Sequence, residues 1–319
     1  MSVSLLANND GSATLATRGN LGVAVPPASS DAQAVRLDQS YIANDFRLSL
    51  TTAVPVTTAD VTAAATLYCV PYVGNRIGLW NGTAWVNYST AEMSLALGTL
   101  ASATIPNDVF CYLSAGVPTL EKLAWTSTTA RATALAYQNG ILVKSGDSTR
   151  RYLGSFAPTA TTTTEDSAAN RFLWNYYNRI DRPLRRLETT ASWTPTALNV
   201  WELANAAAAN KLNFFIGVVE DEIDFTLKAH GSTTVATYTL SAAIGLNSVS
   251  APATGSLIGY RVTPVAGIIG EIHANLNVYP TLGINYVSWL QHADTGSVTT
   301  WNGVATTVLQ SGLIGRVKA

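Results

Sequence analysis

The densest run of ionisable side chains in the chain is Glu220, Asp221, Glu222 and Asp224, in the string VVEDEID. On an extended strand Glu220, Glu222 and Asp224 share one face, close enough for a glycosidase carboxylate pair or a calcium site. Carboxyl groups two residues apart on one strand point in parallel, however, whereas hydrolysis of a glycosidic bond takes two groups facing each other across about 5–9.5 Å. The pattern fits a solvated face, or salt bridges to a neighbouring subunit, better than catalysis. His230, His273 and His292 are too widely spaced for an H-x-x-x-H ligand pair, and no Cys/His zinc spacing, Walker A, G-x-G-x-x-G or G-x-S-x-G string occurs. The sequence therefore assigns no catalytic residue, no metal ligand and no cofactor, and the chain reads as a non-enzyme. Cys69 and Cys111 sit inside the apolar runs LYCVPYV and DVFCYLSAG, where cysteine acts as a small buried hydrophobe. Both read as reduced core residues.

The basic residues gather elsewhere, at Arg150, Arg151, Arg171, Arg179, Arg182, Arg185 and Arg186. The planar guanidinium suits two-point pairing with carboxylates, so Arg179, Arg182, Arg185 and Arg186 are candidates for interface salt bridges, a solvated face being the alternative. Between them, apolar residues recur at Ala168, Ala169, Phe172, Leu173, Tyr176, Tyr177 and Ile180. This i, i+1, i+4, i+5 spacing predicts a helix from about Glu165 to Ile180, with Thr164 as N-cap and Pro183 ending it. Its stripe of Phe172, Leu173, Tyr176, Tyr177 and Ile180 either packs on its own subunit's sheet or forms an oligomer interface.

The rest of the chain has β texture. Short apolar runs separated by turn signals at Gly74-Asn75, Asn81-Gly82, Asn139-Gly140 and Gly146-Asp147 predict a first β domain over residues 61–160. Trp80-Asn81-Gly82 reads as a type I′ hairpin, with Trp80 and Trp85 clamping it across the strands. After a helix and linker at 161–190, alternation returns in DEIDFTLKA, where Ile223, Phe225 and Leu227 face one way and Glu222, Asp224, Thr226 and Lys228 the other. Residues 191–319 are expected to form a jelly-roll-like β-sandwich. Residues 1–60, punctuated by Gly, Pro and Ser yet carrying Leu37, Tyr41, Phe46 and Leu48, read as an arm that orders on a partner. The fold class is thus mainly β, with two antiparallel β domains, one joining helix and an irregular N-terminal arm.

Composition narrows the function. Charged residues make up 12% of the chain against a typical ~25%, a surface better suited to an assembly than to a solitary monomer. The net charge of −1 offers no basic field for nucleic acid. No run of about 18 apolar residues occurs, so neither a secretory leader nor a membrane span is expected.

The strings LYCVPYVGNRIGLWNGTAWV and DSTRRYLGSF…TTTTEDSAANRFLWNYYNR, with the low charge and the Thr/Ser/Ala/Gly-rich texture, resemble structural proteins of tailed bacteriophages. The resemblance lies in motifs over residues 60–190 and in texture elsewhere, and it points to appendages such as tail fibres, head fibres and decoration proteins. It implies a virion protein assembled in the host cytoplasm, most often a homotrimer. Such a protein contacts other virion proteins through the arm and engages a host surface. Trp80, Trp85, Tyr88, Trp125, Trp193, Trp289 and Trp301 read as core or interface anchors, and any that stay exposed would instead stack on host-surface glycan. A capsid decoration protein, a glycan-processing spike enzyme and a carbohydrate-binding module are the alternatives.

Overall fold

Asn107–Ser114 and Asp147–Phe156 are strands with apolar side chains on both faces, and two hydrophobic cores form against them. The computed structural model describes residues 42–303 and 309–319, together with a short antiparallel pair, Leu5–Ala7 with Ala13–Leu15. Ala43–Ala319 is one compact unit, distinct from Met1–Ile42. The paired strands Asn107–Ser114 and Asp147–Phe156 belong to a sheet that continues to Val117–Ala124 on one side and to Ile141–Lys144 and Leu135–Gln138 on the other. Along them the side chains alternate: Val109, Cys111 and Leu153 enter the first core, Phe110 and Tyr152 the second. A bulge between Tyr152 and Gly154 inserts one residue, so that Phe156 also reaches the first core.

The first core is closed by the sheet Phe46–Ser49, Thr66–Pro71, Met93–Ala96 and by the hairpin Arg76–Trp80/Trp85–Ser89. Phe46, Leu48 and Leu50 are buried there. Residues 43–60 are therefore part of the body and not of a docking arm, because their apolar side chains have a core of their own to enter. The arm expected before them lies, apart from the short pair, outside the described residues. Trp80 and Trp85 pair across the hairpin with ring centroids 5.8 Å apart. Its turn spans four residues, with the Asn81 carboxamide oxygen accepting hydrogen bonds from the Thr83 and Ala84 amides, and is longer than the two-residue turn expected from Asn-Gly. Cys69 and Cys111 are free and buried, and burial pushes the Cys111 thiol up to about 12.

The second core draws on two further sheets. One runs from Pro158–Ala160 through Thr163–Asp166, Asn170–Arg171, Lys211–Ile216, Gly283–Ala293 and Thr239–Leu246 to Gly259–Val262. The other has the order Asp181–Leu187, Gly312–Lys318, Ile223–Thr233, Thr299–Asn302, Ser192–Trp193, with Gly270–Val278 also pairing Ile223–Thr233. Phe214 of the first stacks on Phe225 of the second at 5.8 Å. Both sheets cross the boundary expected at residue 190, since each takes strands from residues before 191, and the first also crosses the one at 160.

The joining helix is absent. Thr163–Asp166, Asn170–Arg171 and Leu173–Asn175 are strands, with a tight turn between Ser167 and Asn170. Among the described residues the helical element is the single 3-10 turn Ala204–Ala206, and no helix is long and apolar enough to cross a membrane. The apolar doublets arise from burial on two faces. Phe172, Trp174 and Tyr176 pack on the second core while Leu173 and Tyr177 pack on the first, a period of two.

A buried ion cluster fastens these segments together. The Asp166 carboxylate accepts from Arg171 at 3.0 Å and from Arg182 at 2.7 Å, all three side chains being less than a tenth exposed. Arg182 also donates to the Thr57 carbonyl, Arg171 to the Pro183 carbonyl, and Arg47 to the carbonyls of Pro55, Asn178 and Ala319. Replacing Asp166 by Asn leaves two buried guanidinium groups facing a neutral amide. A loss of about 3–5 kcal/mol is expected in urea unfolding. A loss below 1 kcal/mol would show that the cluster does not hold the fold together.

Candidate functional site

The outward face of the sheet Asp181–Leu187/Gly312–Lys318/Ile223–Thr233/Gly270–Val278 carries the chain's main concentration of exposed charge. Alternation produces it. In Ile223–Thr233 the side chains of Phe225, Leu227 and Ala229 are buried, which turns Asp224, Thr226 and Lys228 outward. In Gly270–Val278 the burial of Ile272, Ala274 and Leu276 likewise exposes Glu271, His273, Asn275 and Asn277. Register then fixes the neighbours: Asp224 lies between Arg316 and Asn277, Thr226 between Ile314 and Asn275, and Lys228 between Gly312 and His273.

Three recesses join along this face. One of about 430 Å³ is lined by Asp181, Glu222, Asp224, Tyr279, Arg316 and Lys318. A middle one of about 520 Å³ shares Asp181, Asp224 and Arg316 with it and continues over Pro183, Thr226 and Ile314. The third, about 670 Å³, shares Arg185, Thr226 and Ile314 with the middle one and ends at Lys228, His273 and Gln310. The result is a shallow groove, acidic at one end and basic at the other.

At the acidic end the carboxylates expected on one strand face are divided. The strand begins at Ile223, and the turn before it directs Glu220 and Asp221 to Arg179, at 2.6 and 2.7 Å. Asp221 also lies 3.5 Å from the Lys318 ammonium. Asp224 and Asp181 approach Arg316 from opposite sides, each at 3.4 Å. A guanidinium thus occupies the space between the two facing carboxylates, where a glycosidase would place the scissile bond.

At the basic end Glu271 is ringed by Lys228 and two histidines. Lys228 lies 2.8 Å from it, His230 3.4 Å, and His273 hydrogen-bonds to it directly. The hydrogen bonds from Lys228 and His273 pull the Glu271 carboxyl down from its ordinary 4.5 to about 2. Burial and the Lys228 charge hold His230 below its ordinary value, and its Nδ1 contacts the Ser311 hydroxyl at 3.0 Å.

The other residues singled out in the sequence fall in three places. Leu173 is buried in the first core, and Phe172, Tyr176 and Tyr177 are half-buried against the two cores. Ile180, also half-buried, pairs through its backbone with Ala319. Arg179 and Arg182 make their ion pairs within the chain, and Arg186 is half-buried. Arg185 is exposed and points onto the groove, and among the described residues its side chain has no hydrogen-bond or ion-pair partner. The sequence reading missed Glu271 and His273 as a cluster with Lys228. The clean alternation of GEIHANLNV was their available signal.

No family model matches the chain, and no curated protein matches it in sequence. Solved structures with weak similarity include two Bacillus thuringiensis proteins. The insecticidal delta-endotoxin Cry8Ea1 has a TM-score of 0.23 and 5% identity, over 86% of this chain and 51% of that one. A Cry1Da tryptic core variant has a TM-score of 0.20 and 8% identity, over 87% and 53%. The chain thus spans about half the length of each. The structure of infectious bursal disease virus, Gx strain, aligns with a TM-score of 0.22 and 10% identity, over 83% of this chain and 76% of that one. At these scores the alignments define no common fold.

A carboxylate held down as Glu271 is stabilises the fold above pH 4.5 and loses that contribution as pH falls through about 2. Carboxyl-carbon NMR should give Glu271 a midpoint near 2, with Lys228→Gln moving it up toward 4.5. A wild-type midpoint already at 4.5 would mean that the cluster does not form in solution.

Proposed function

We propose that the chain is a structural component of a phage virion, a trimeric fibre-like appendage engaged in attachment to a host surface. The observation that carries this reading is an exposed apolar segment, residues 257–269. Leu257, Ile258, Tyr260, Val262, Val265, Ile268 and Ile269 all face solvent, Tyr260 at 73% and Leu257 at 68% exposure. The one charge in the segment, Arg261, is folded back against Gly270. So many exposed apolar side chains within one segment, on a chain with so few charges, suit a subunit interface. The occupant proposed for it is a second copy of the same chain, the three copies closing a ring.

Two further features support the reading. The bacteriophage-like strings form strands that line the first core and join it to the second, which suits a rigid structural part. The facing carboxylates of the groove are bridged by Arg316, which suits binding and not hydrolysis. The segment before Ala43 is left to engage other virion proteins.

Light scattering is expected to give three times the chain mass of 33.7 kDa. The double variant Tyr260→Glu, Ile268→Glu should be a folded monomer by circular dichroism. A wild type that stays monomeric at high concentration, or a double variant that stays trimeric, would refute the assembly. Incubated with bacterial surface polysaccharide, the wild type should release no reducing ends; release abolished by Asp181→Asn with Asp224→Asn would make the protein a depolymerase.

A further inference from the structure

We infer that the basic end of the groove is a binding site for a carboxylate-bearing sugar, of the uronate or sialate type, and that Arg185 is its anion anchor. The recess of about 670 Å³ is lined by Arg185, Lys228 and His273, by the polar groups of Thr226 and Gln310, and by apolar Leu187 and Ile314. Among the described residues no carboxylate lines it. Glu271, beside it, has its oxygens paired with Lys228 and His273. The recess is therefore positive in a chain whose net charge is −1.

Arg185 sets the ligand class. An exposed guanidinium without a partner, held on the regular strand Asp181–Leu187 and directed onto a recess, is a planar fork ready for two parallel hydrogen bonds to a carboxylate. Its strand is fixed on both sides: Arg185 pairs across to Ile314, and its backbone amide donates to the Ala168 carbonyl at 2.8 Å. The neighbours supply what a sugar ring needs besides. Ile314, exposed in the floor, offers an apolar surface for ring C–H groups, while the Gln310 amide, the Thr226 hydroxyl and the Lys228 ammonium can meet hydroxyls. A simple inorganic anion would use Arg185 and Lys228 and leave the apolar floor and the amide idle. An acidic sugar uses all of them. The site lies wholly within one copy of the chain, so it stands whether or not the copies assemble as proposed above.

The test is calorimetric titration of the full chain with a tetragalacturonate, with its methyl ester, and with inorganic phosphate. The free acid should bind. Esterification, which removes the charge and keeps the ring, should weaken binding at least about tenfold, as loss of a charge-assisted two-point contact does. Phosphate should bind more weakly than the free acid. Arg185→Gln should weaken the free acid by a similar factor. Arg185→Lys, which keeps the charge and loses the fork, should fall between. Lys122→Gln, which removes one charge on a distant sheet, should match the wild type. Because the Arg185 side chain makes no hydrogen bond or ion pair among the described residues, its variants should melt with the wild type, so a loss of binding reads the site and not the fold. Equal binding of acid and ester, phosphate binding as tightly as the free acid, no binding of the acid at all, or wild-type affinity in Arg185→Gln would each overturn the inference.

Discussion

One buried carboxylate holds the architecture in place. Asp166 pairs with Arg171 and Arg182 at once, and through their further hydrogen bonds it ties Thr57, residues 166–171 and residues 182–183 into a single knot, with Arg47, the Pro55 carbonyl and the Ala319 carbonyl at its edge. Residues 55–57 lie in a loop more than a hundred positions from the other two segments, which belong to two different sheets. Burying three guanidinium groups costs several kcal/mol each unless every one finds acceptors, and backbone carbonyls supply those that the carboxylate cannot. Burial and the neighbouring Arg182 accordingly bring Arg47 down to about 10. The strand that presents Arg185 to the groove begins at this knot, so the position of the binding face follows from an ion cluster inside the protein.

What could be read from the sequence depended on whether an element has one wet face. Ile223–Thr233 has one, and its alternation gave inward and outward residues correctly. Residues 172–177 have none. Phe172, Trp174 and Tyr176 serve one core, Leu173 and Tyr177 the other, so every position is apolar except Asn175, whose carboxamide oxygen accepts from the Leu48 amide. A strand buried on both sides loses its polar half-period, and its doublets then imitate a helical stripe. The reading of residues 43–60 as a docking arm failed for a related reason. Their hydrophobicity was recognised, but the core they enter is completed by strands from Thr66 onward.

The candidate site was legible residue by residue and illegible as a site. Asp224, Lys228 and Arg185 stood out as charged positions. Their neighbours Arg316, His273 and Ile314 come from strands whose register depends on pairings across the whole second half of the chain. Charge density drew the reading to Glu220–Asp224, where Glu220, Asp221 and Asp224 are paired with Arg179, Lys318 and Arg316. The unpartnered Arg185 carries less charge but more binding capacity.

The placement of Gly312–Lys318 between Asp181–Leu187 and Ile223–Thr233 also governs how the molecule is made. As the polypeptide leaves the ribosome, its two flanking strands exist long before the strand that belongs between them. About 125 residues separate Leu187 from Gly312, on the order of 6–25 s of synthesis. During that interval Leu184 lacks its neighbouring strand altogether, while Phe225 and Leu227 lie on a strand that can pair with Gly270–Val278 on one side only. The nascent chain must shelter this surface, either in a transient collapsed state or with a chaperone, until residue 318 has emerged and the sheet can close.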